Sequence, residues 1–198
     1  CLDTELIASR DGWSWFRVCE GQRFLSTGPQ DAFDGNWAFP AGSPPVEVGD
    51  ELWFYYQGRP HPHGPFRPPQ YKSDAKEGPL RLAYTGLARM RRDGFASLEA
   101  AGEEGTVTTV PLAVPNEGDL WINAITHPGP AWVKVAVLDE AGEEIDGFGL
   151  DDSVPLESGA VRYCVQWKER RFGMLAGRPI RLRFVLLNAG LFSYGVAD

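Results

Sequence analysis

The sequence is short of cysteine, of long apolar runs and of helical periodicity. Its three cysteines, Cys1, Cys19 and Cys164, show no Cys-x-x-Cys spacing, which argues against a zinc site or a disulfide framework. We expect Cys164 to be a small core residue, whereas Cys1 and Cys19 would lie within reach of each other across a hairpin. No apolar run reaches the roughly 18 residues that a membrane-spanning segment needs, so none is predicted.

Basic charge is also scarce. The chain has 27 acidic and 19 basic residues and a formal net charge of −8, so it repels phosphate backbones and nucleic acid is not a predicted partner. Nor is a membrane a predicted partner.

The first residues show no basic segment followed by an apolar run, so no signal peptide is predicted there. The chain begins with Cys rather than Met, and we expect that a segment upstream was removed. Localisation stays open, although work on polysaccharide would favour a secreted or periplasmic protein.

What the chain does contain is typical of an all-β protein. Its 198 residues include 23 Gly, 16 Pro, seven Trp, six Tyr and eleven Phe, and the aromatic residues suit pleated surfaces. The best helical candidate, residues 169–175, is short and is interrupted by Gly173.

One motif occurs twice, 82 positions apart. Residues 9–16 and 91–98 each place Asp-Gly after an apolar run and between two alternating segments, the strongest short-range signal for a β-hairpin. We therefore predict one hairpin from residues 2–8 and 13–19 and a second from 80–90 and 95–98. A recurring hairpin suggests a repeat architecture, and we expect the chain to be incomplete because it starts in the middle of a repeat.

The remaining segments divide the chain into two parts. Residues 20–42 and 57–79 are predicted loops, and a hairpin joins strands at 45–48 and 52–56. After a boundary near residues 99–105, alternating strands recur every 8–14 residues, which predicts an antiparallel β-sandwich over 99–198. Its strands are expected at 106–112, 120–126, 132–138, 161–167, 180–187 and 191–196.

The order of segments over 44–98 carries a family resemblance. A strand, Gly49-Asp50, the aromatic strand Trp53-Phe54-Tyr55-Tyr56, a long loop and then Arg91-Arg92-Asp93-Gly94-Phe95 resemble one blade of the five-bladed β-propeller of family 32 and family 43 glycoside hydrolases. Residues 2–19 resemble the last two strands of the preceding blade. Residues 99–198 resemble the β-sandwich appended to such propellers in many bacterial proteins, with matching stretches such as 120–124, 135–139 and 175–184.

The resemblance implies a fold and a role. It implies about one and a half propeller-like blades over 1–98, followed by the sandwich. In those enzymes acidic residues from several early blades perform the chemistry, and none of this chain's carboxylates matches such a motif. The leading hypothesis is therefore a carbohydrate-binding or structural accessory region of a glycoside hydrolase-like protein without its own catalytic centre. The alternatives are a small stand-alone glycoside hydrolase and a structural self-association module.

Aromatic and imidazole side chains are the candidate ligand-binding residues. Flat rings stack on the apolar C–H faces of sugars at low cost in entropy. Strand alternation puts Trp53 and Tyr55 on one face, with Leu52, Phe54 and Tyr56 on the other. Three further aromatic candidates and two histidines lie in predicted loops: Trp37, Phe66, Tyr71, His61 and His63. The two histidines are candidates for a sugar hydroxyl or a metal.

Carboxylates supply the remaining candidates. Asp34 and Glu51 are the catalytic candidates for the stand-alone hydrolase, because glycoside hydrolysis uses a pair of carboxyl groups. No metal site is predicted with assigned ligands, but calcium is a candidate at the acidic stretch over residues 139–152. An open blade edge exposes unpaired backbone groups, so a homodimer through residues 2–19 is a further expectation.

Overall fold

A computed structural model describes residues 1–61 and 83–197, and confirms that the chain is all-β. It divides into two compact units, Cys1–Arg92 and Asp93–Asp198. Within the described residues the only helical segment is one 3₁₀ turn, Phe172–Leu175, inside the stretch that the sequence marked as the best helical candidate. None of the described helical structure has the length and apolarity that a membrane-spanning helix requires.

The first unit is organised around one long strand. This strand, β7 (Glu51–Arg59), pairs along most of its length with β8 (Tyr84–Arg91) on one edge. Its other edge is therefore shared by β5 (Trp37–Pro40) and β6 (Val46–Val48), and all these pairs are antiparallel. A parallel bridge from Leu2 to Trp37 brings β5 beside the first residues of the chain. The strands are β1 (Thr4–Glu5), β2 (Ile7–Ser9), β3 (Trp15–Arg17), β4 (Arg23–Leu25), β5 (Trp37–Pro40), β6 (Val46–Val48), β7 (Glu51–Arg59) and β8 (Tyr84–Arg91).

The first predicted hairpin is confirmed, and its turn is closed by Asp11. β2 and β3 pair in the register Ile7 with Arg17 and Ser9 with Trp15. Asp11 Oδ1 accepts hydrogen bonds from the backbone N–H groups of residues 13 and 14 at 2.8 and 2.7 Å, and from the Ser9 hydroxyl at 3.0 Å. These donors lower the pKa of the Asp11 carboxyl because they favour its charged form. Gly12 takes the positive φ of 77° that this turn requires.

Two other predictions for this region are wrong. The second hairpin does not form, because the strand after Asp93-Gly94 pairs with a distant strand, Ala189–Ala197, instead of returning to β8. Residues 20–42 are not all loop, since they contain β4 and β5. The strand predicted at 52–56 is also longer than expected and continues as β7 to Arg59; most of the predicted 57–79 loop lies outside the described residues.

The second unit contains two four-stranded antiparallel sheets. One has the order β14-β12-β16-β9; in the other, β10 and β11 pair with one edge of β15 and β13 pairs with its other edge. The strands are β9 (Leu98–Ala100), β10 (Gly105–Thr108), β11 (Leu112–Ala113), β12 (Asp119–Thr126), β13 (Trp132–Leu138), β14 (Ala160–Cys164), β15 (Pro179–Leu187) and β16 (Ala189–Ala197). The strands predicted at 120–126, 132–138, 180–187 and 191–196 form close to their expected positions. The strand predicted at 106–112 is divided into β10 and β11, and the one predicted at 161–167 ends at Cys164.

Alternating residues of both sheets form one apolar core. Leu120 and Ile122 of β12 and Leu182 and Phe184 of β15 are buried in the same cluster, as period-2 patterning requires. Trp167 is fully buried in it, where its indole N–H donates to the Val135 carbonyl at 2.7 Å and its ring stacks on Phe172 at 6.2 Å. A buried indole with its one donor satisfied contributes apolar area without a desolvation cost.

The boundary between the two units lies earlier in the chain than predicted, and the cysteines also differ from expectation. The predicted boundary left residue 98 in the first part, whereas β9 pairs with β16 in the second unit and the chain divides after Arg92. Cys164 ends β14 half-buried and is not a core residue. Cys1 and Cys19, the pair that the sequence placed within reach of each other, are exposed free thiols in the structure.

Replacing Trp167 by Ala is expected to destabilise the second unit by about 3–5 kcal/mol, because a large buried ring and its hydrogen bond are both lost. Urea unfolding followed by circular dichroism measures the effect. Trp13, 89% exposed, is the matched control, and Trp13→Ala should change stability by about 0.5 kcal/mol or less. Equal effects of the two substitutions would contradict the assignment of Trp167 to the core.

Candidate functional site

Alternation along β7 and its partners places four aromatic rings on one side of the sheet. Trp53 and Tyr55 share a face, as predicted, and cross-strand pairing puts Trp37 opposite Arg59 and Phe39 opposite Gln57 on that same face. We call the side formed by Trp37, Phe39, Trp53 and Tyr55 the aromatic face. The partners of β7 on β8 add Thr85, Leu87 and Arg89 to this side.

The opposite side of the sheet is covered by the segment that precedes β5. Phe24 packs edge-on against Phe54 with ring centres 5.6 Å apart, and Phe33 stacks on Tyr56 at 6.2 Å. Leu52 on this side is buried. One side of the first unit's sheet is therefore packed by its own chain, whereas Phe39 and Tyr55 on the aromatic face stay 52% and 46% exposed.

Asp34 lies on the packed side and is buried. One of its carboxylate oxygens accepts a 2.7 Å hydrogen bond from the Tyr56 hydroxyl. A Cβ at Gly86 would overlap the Tyr56 ring, so the absence of a side chain there lets the ring lie across β8. Burial, together with the hydrogen bond to Asp34 and the charge of that carboxylate, raises the pKa of Tyr56 to about 12. Asp34 thus positions a phenol within the fold.

The four rings of the aromatic face differ in what already contacts them. The Arg59 guanidinium lies over the Trp37 ring, 4.4 Å from its centre, in a cation–π contact. The Trp53 indole N–H donates to Glu51 at 2.8 Å. Both tryptophans are half-buried, whereas Phe39 and Tyr55 present more of their rings to solvent. The last two are therefore the rings best placed to stack on a flat ligand.

A groove of about 390 Å³ opens beside these two rings. Gln57 and Thr85 also line it, which places an amide and a hydroxyl next to Phe39 and Tyr55. Tyr84 also lines the groove, but its pairing with Gly58 puts its ring on the packed side of the sheet, where it contacts Phe33 edge-on at 5.8 Å. Aromatic walls with a few polar groups are typical of sites that bind small or chain-like organic ligands.

The two catalytic candidates do not form a pair. Glu51 begins β7 on the side of Trp53, whereas Asp34 packs against Gly58 near the other end of that strand, on the side of Tyr56. Glu51 and Gly58 are seven positions apart along the strand, which corresponds to about 23 Å. Carboxyl groups that act together on a glycosidic bond lie within about 10 Å of each other. Neither candidate therefore has the other as its catalytic partner.

Several candidates give no assembled site. His61 follows β7 and is half-buried, while His63, Phe66 and Tyr71 lie outside the described residues, so the His-x-His hypothesis stays a prediction. In the acidic stretch, Glu144 accepts from the Leu150 N–H at 3.2 Å, and Asp152 pairs with Lys168 at 2.9 Å. Across residues 1–61 and 83–197, no group of three or more His, Cys, Asp or Glu side chains is placed to hold a metal ion.

Sequence reasoning missed part of the aromatic face. Phe39, Gln57 and Thr85 were not candidates, because β5 is hidden in a segment rich in Gly and Pro and the 57–79 stretch was expected to be loop. A usable signal was present in Trp37-Ala38-Phe39, where two aromatic residues flank a small residue with strand periodicity. In the structure Ala38 is fully buried while Phe39 is exposed.

Comparisons with known proteins found no matching family model, no matching curated protein and no matching solved structure. The resemblance to family 32 and family 43 glycoside hydrolases therefore stays a prediction.

Tyr56 is expected to ionise about two pH units later than an ordinary tyrosine, with a pKa of about 12. Because the folded state holds this proton more tightly than the unfolded state, the stabilisation is complete below pH ~10 and is lost as the pH rises towards ~12. Absorbance titration of the phenolate measures it. Burial also raises the pKa of Tyr163, so Tyr56→Phe should remove one phenolate from the late part of the curve, and Asp34→Asn should shift that phenolate to lower pH. An unchanged titration curve in Asp34→Asn would contradict the link between Asp34 and Tyr56.

Proposed function

We propose that the first unit binds polysaccharide on its aromatic face, and that the chain is a carbohydrate-binding accessory region of a glycoside hydrolase-like protein without a catalytic centre of its own. The observation that carries the proposal is the pair of half-exposed rings, Phe39 and Tyr55, beside the polar side chains of Gln57 and Thr85.

The chemistry of sugars fits this arrangement. A pyranose or furanose ring offers an apolar C–H face and an equatorial or edge set of hydroxyl groups. Phe39 and Tyr55 supply rigid apolar surfaces, which lose little conformational entropy on binding. The Gln57 amide offers two N–H donors, while its carbonyl oxygen already accepts from Arg59 Nε at 3.2 Å. The Thr85 hydroxyl offers one donor and an acceptor, so hydroxyl groups at the ring edge would find partners.

The position of the rings favours an extended ligand. Phe39 pairs with Gln57 across the β5–β7 ladder, and Tyr55 lies two residues further along β7, so the two rings occupy diagonal positions about 7–8 Å apart at their Cα atoms. The groove beside them is open to solvent. This geometry suits a chain that lies across the sheet better than a monosaccharide that must be enclosed.

The charge of the groove lining narrows the ligand class. Its side chains are aromatic, aliphatic, amide or hydroxyl, and none of its ten lining residues is charged. A neutral polysaccharide such as a glucan, fructan or xylan therefore has no charged group to leave unpaired in the groove. This supports a neutral ligand in the groove itself; the guanidinium groups of Arg59 and Arg89 lie on the same side of the sheet but outside the groove lining.

The stand-alone hydrolase remains the alternative hypothesis, and it would use carboxylates in other pairings. Asp34 is buried against Tyr56, and Glu51 is engaged with Trp53 and, at 3.7 Å, with Arg89. The separation of Asp34 from Glu51 is the reason that the binding proposal is preferred.

Affinity electrophoresis in gels that contain glucan, fructan or xylan tests the binding proposal. We expect retardation in at least one gel, with about a tenfold weaker affinity for Phe39→Ala or Tyr55→Ala, since a stacked ring contributes on the order of 1.4 kcal/mol. Trp13→Ala is the matched control, because it removes an aromatic ring that is 89% exposed elsewhere in the same unit, and it should leave retardation unchanged.

Retardation that survives both substitutions would contradict binding on the aromatic face. The same polysaccharides should also be assayed for released reducing ends. Turnover that scales with protein, and is lost in Glu51→Gln or Asp34→Asn, would favour the hydrolase and overturn the proposal of a region without a catalytic centre.

A further inference from the structure

β3 is an edge strand with large exposed side chains. Among residues 1–61 and 83–197, β2 is the only strand that pairs with it. Trp15 and Phe16 are 59% and 54% exposed, and Ile7 on the adjoining strand is 51% exposed. A two-stranded hairpin with apolar residues in solvent is marginal by itself and gains stability from a third strand.

The direction of the backbone groups decides which residues the open edge presents. The Val18 N–H donates to the Leu6 carbonyl at 3.1 Å, so residue 18 points its backbone groups towards the β2 side. Backbone groups alternate along a strand, so Phe16 also points towards β2, whereas Trp15 and Arg17 point away from it. The open edge therefore offers the N–H and C=O groups of Trp15 and Arg17.

These positions are self-complementary. If a second β3 pairs antiparallel about Phe16, Trp15 of each copy stands opposite Arg17 of the other and exchanges both backbone hydrogen bonds with it. The indole and the guanidinium then lie on the same face, in the arrangement of a cross-strand cation–π pair. Phe16 meets its own counterpart on the opposite face. In this register, both Trp15–Arg17 pairs exchange backbone hydrogen bonds, and each Arg17 guanidinium lies beside the Trp15 ring of the other copy.

The charges on the hairpin agree with this register. Arg17 contacts Glu5 at 3.4 Å and Glu20 at 3.7 Å, with its side chain 57% exposed. These carboxylates hold the guanidinium on the hairpin while leaving part of it open. A second copy would bring Trp15 towards each arginine and would not place like charges directly opposite each other.

We infer that the chain forms a two-fold homodimer in which β3 strands of two copies pair antiparallel, with Phe16 at the axis. This surface is separate from the aromatic face, so the dimer and the carbohydrate proposal are tested independently. The partner is a second copy of this chain because the pairing uses the same three residues on both sides.

Sedimentation equilibrium of the intact chain tests the oligomeric state. We expect twice the monomer mass of 21.9 kDa at micromolar concentration, with dissociation on dilution. Arg17→Glu should weaken the dimer at least tenfold, because it would place a carboxylate against each Trp15. Arg10→Glu makes the same charge change at the turn of the same hairpin and should leave the dimer intact.

Cysteine cross-linking tests the register. In a background with Cys1→Ser and Cys19→Ser, Phe16→Cys should form an intermolecular disulfide spontaneously, because non-hydrogen-bonded pairs lie about 4.5 Å apart at Cα. Ala8→Cys is the matched control. Ala8 pairs with Phe16 on the inner strand, so its two copies would lie about 14 Å apart, beyond the reach of a disulfide.

A monomer at all micromolar concentrations would overturn the inference. A dimer that cross-links through residue 8 but not residue 16, or that is unaffected by Arg17→Glu, would also overturn it and would place the contact on another surface, the aromatic face included. If Phe16→Cys does not fold, the comparison of Arg17→Glu with Arg10→Glu still decides between the outcomes.

Discussion

The first unit depends on the alternation of side chains along β7. This strand is paired on both edges, so its pleat is fixed by two sets of hydrogen bonds. The pleat sends Trp53 and Tyr55 to one side and Leu52 and Tyr56 to the other. A slip of one residue against β8 would exchange the two sets and bring buried groups into solvent. The separation of a packed side from an aromatic side is thus a property of pairing register, and every candidate site in this unit inherits it.

The two sides of the first unit's sheet are packed differently. Phe24 and Phe33, which both precede β5, pack against the opposite side. The aromatic face keeps half-exposed rings next to neutral polar groups, a combination that suits a ligand with both apolar and hydroxyl surfaces. The β3 edge is different in kind, since its recognition elements are backbone groups and a cation. The two proposals therefore assign different partners to the two surfaces, a polymer with hydroxyl groups to the aromatic face and a second β3 strand to the edge.

Local sequence patterns predicted much of the fold, and long-range pairing accounts for what they missed. The alternation over 52–56, the Asp11-Gly12 hairpin and the strands of the second unit were all readable, because each signal lies within a few residues. The second Asp-Gly motif failed as a hairpin signal because β9 finds its partner in β16, far along the chain. On the aromatic face, Trp53 and Tyr55 were correctly predicted to lie on the same side of their strand. Phe39 was missed because β5 was not recognised as a strand. The separation of Asp34 from Glu51 required knowing which side of β7 each one occupies.

The turn at Asp11 has a kinetic consequence. All the contacts that close it come from residues 9–14, so this hairpin needs no distant part of the chain in order to form. Hairpins of this kind close in about 1–10 μs, far faster than sheets whose strands come from well-separated segments. The β3 edge therefore begins to form, as a marginal hairpin, while β5, β7 and β8 are still assembling. If copies pair through β3 as proposed, newly made chains at high local concentration would meet through this edge before their own sheets have formed, and this early contact would compete with correct folding.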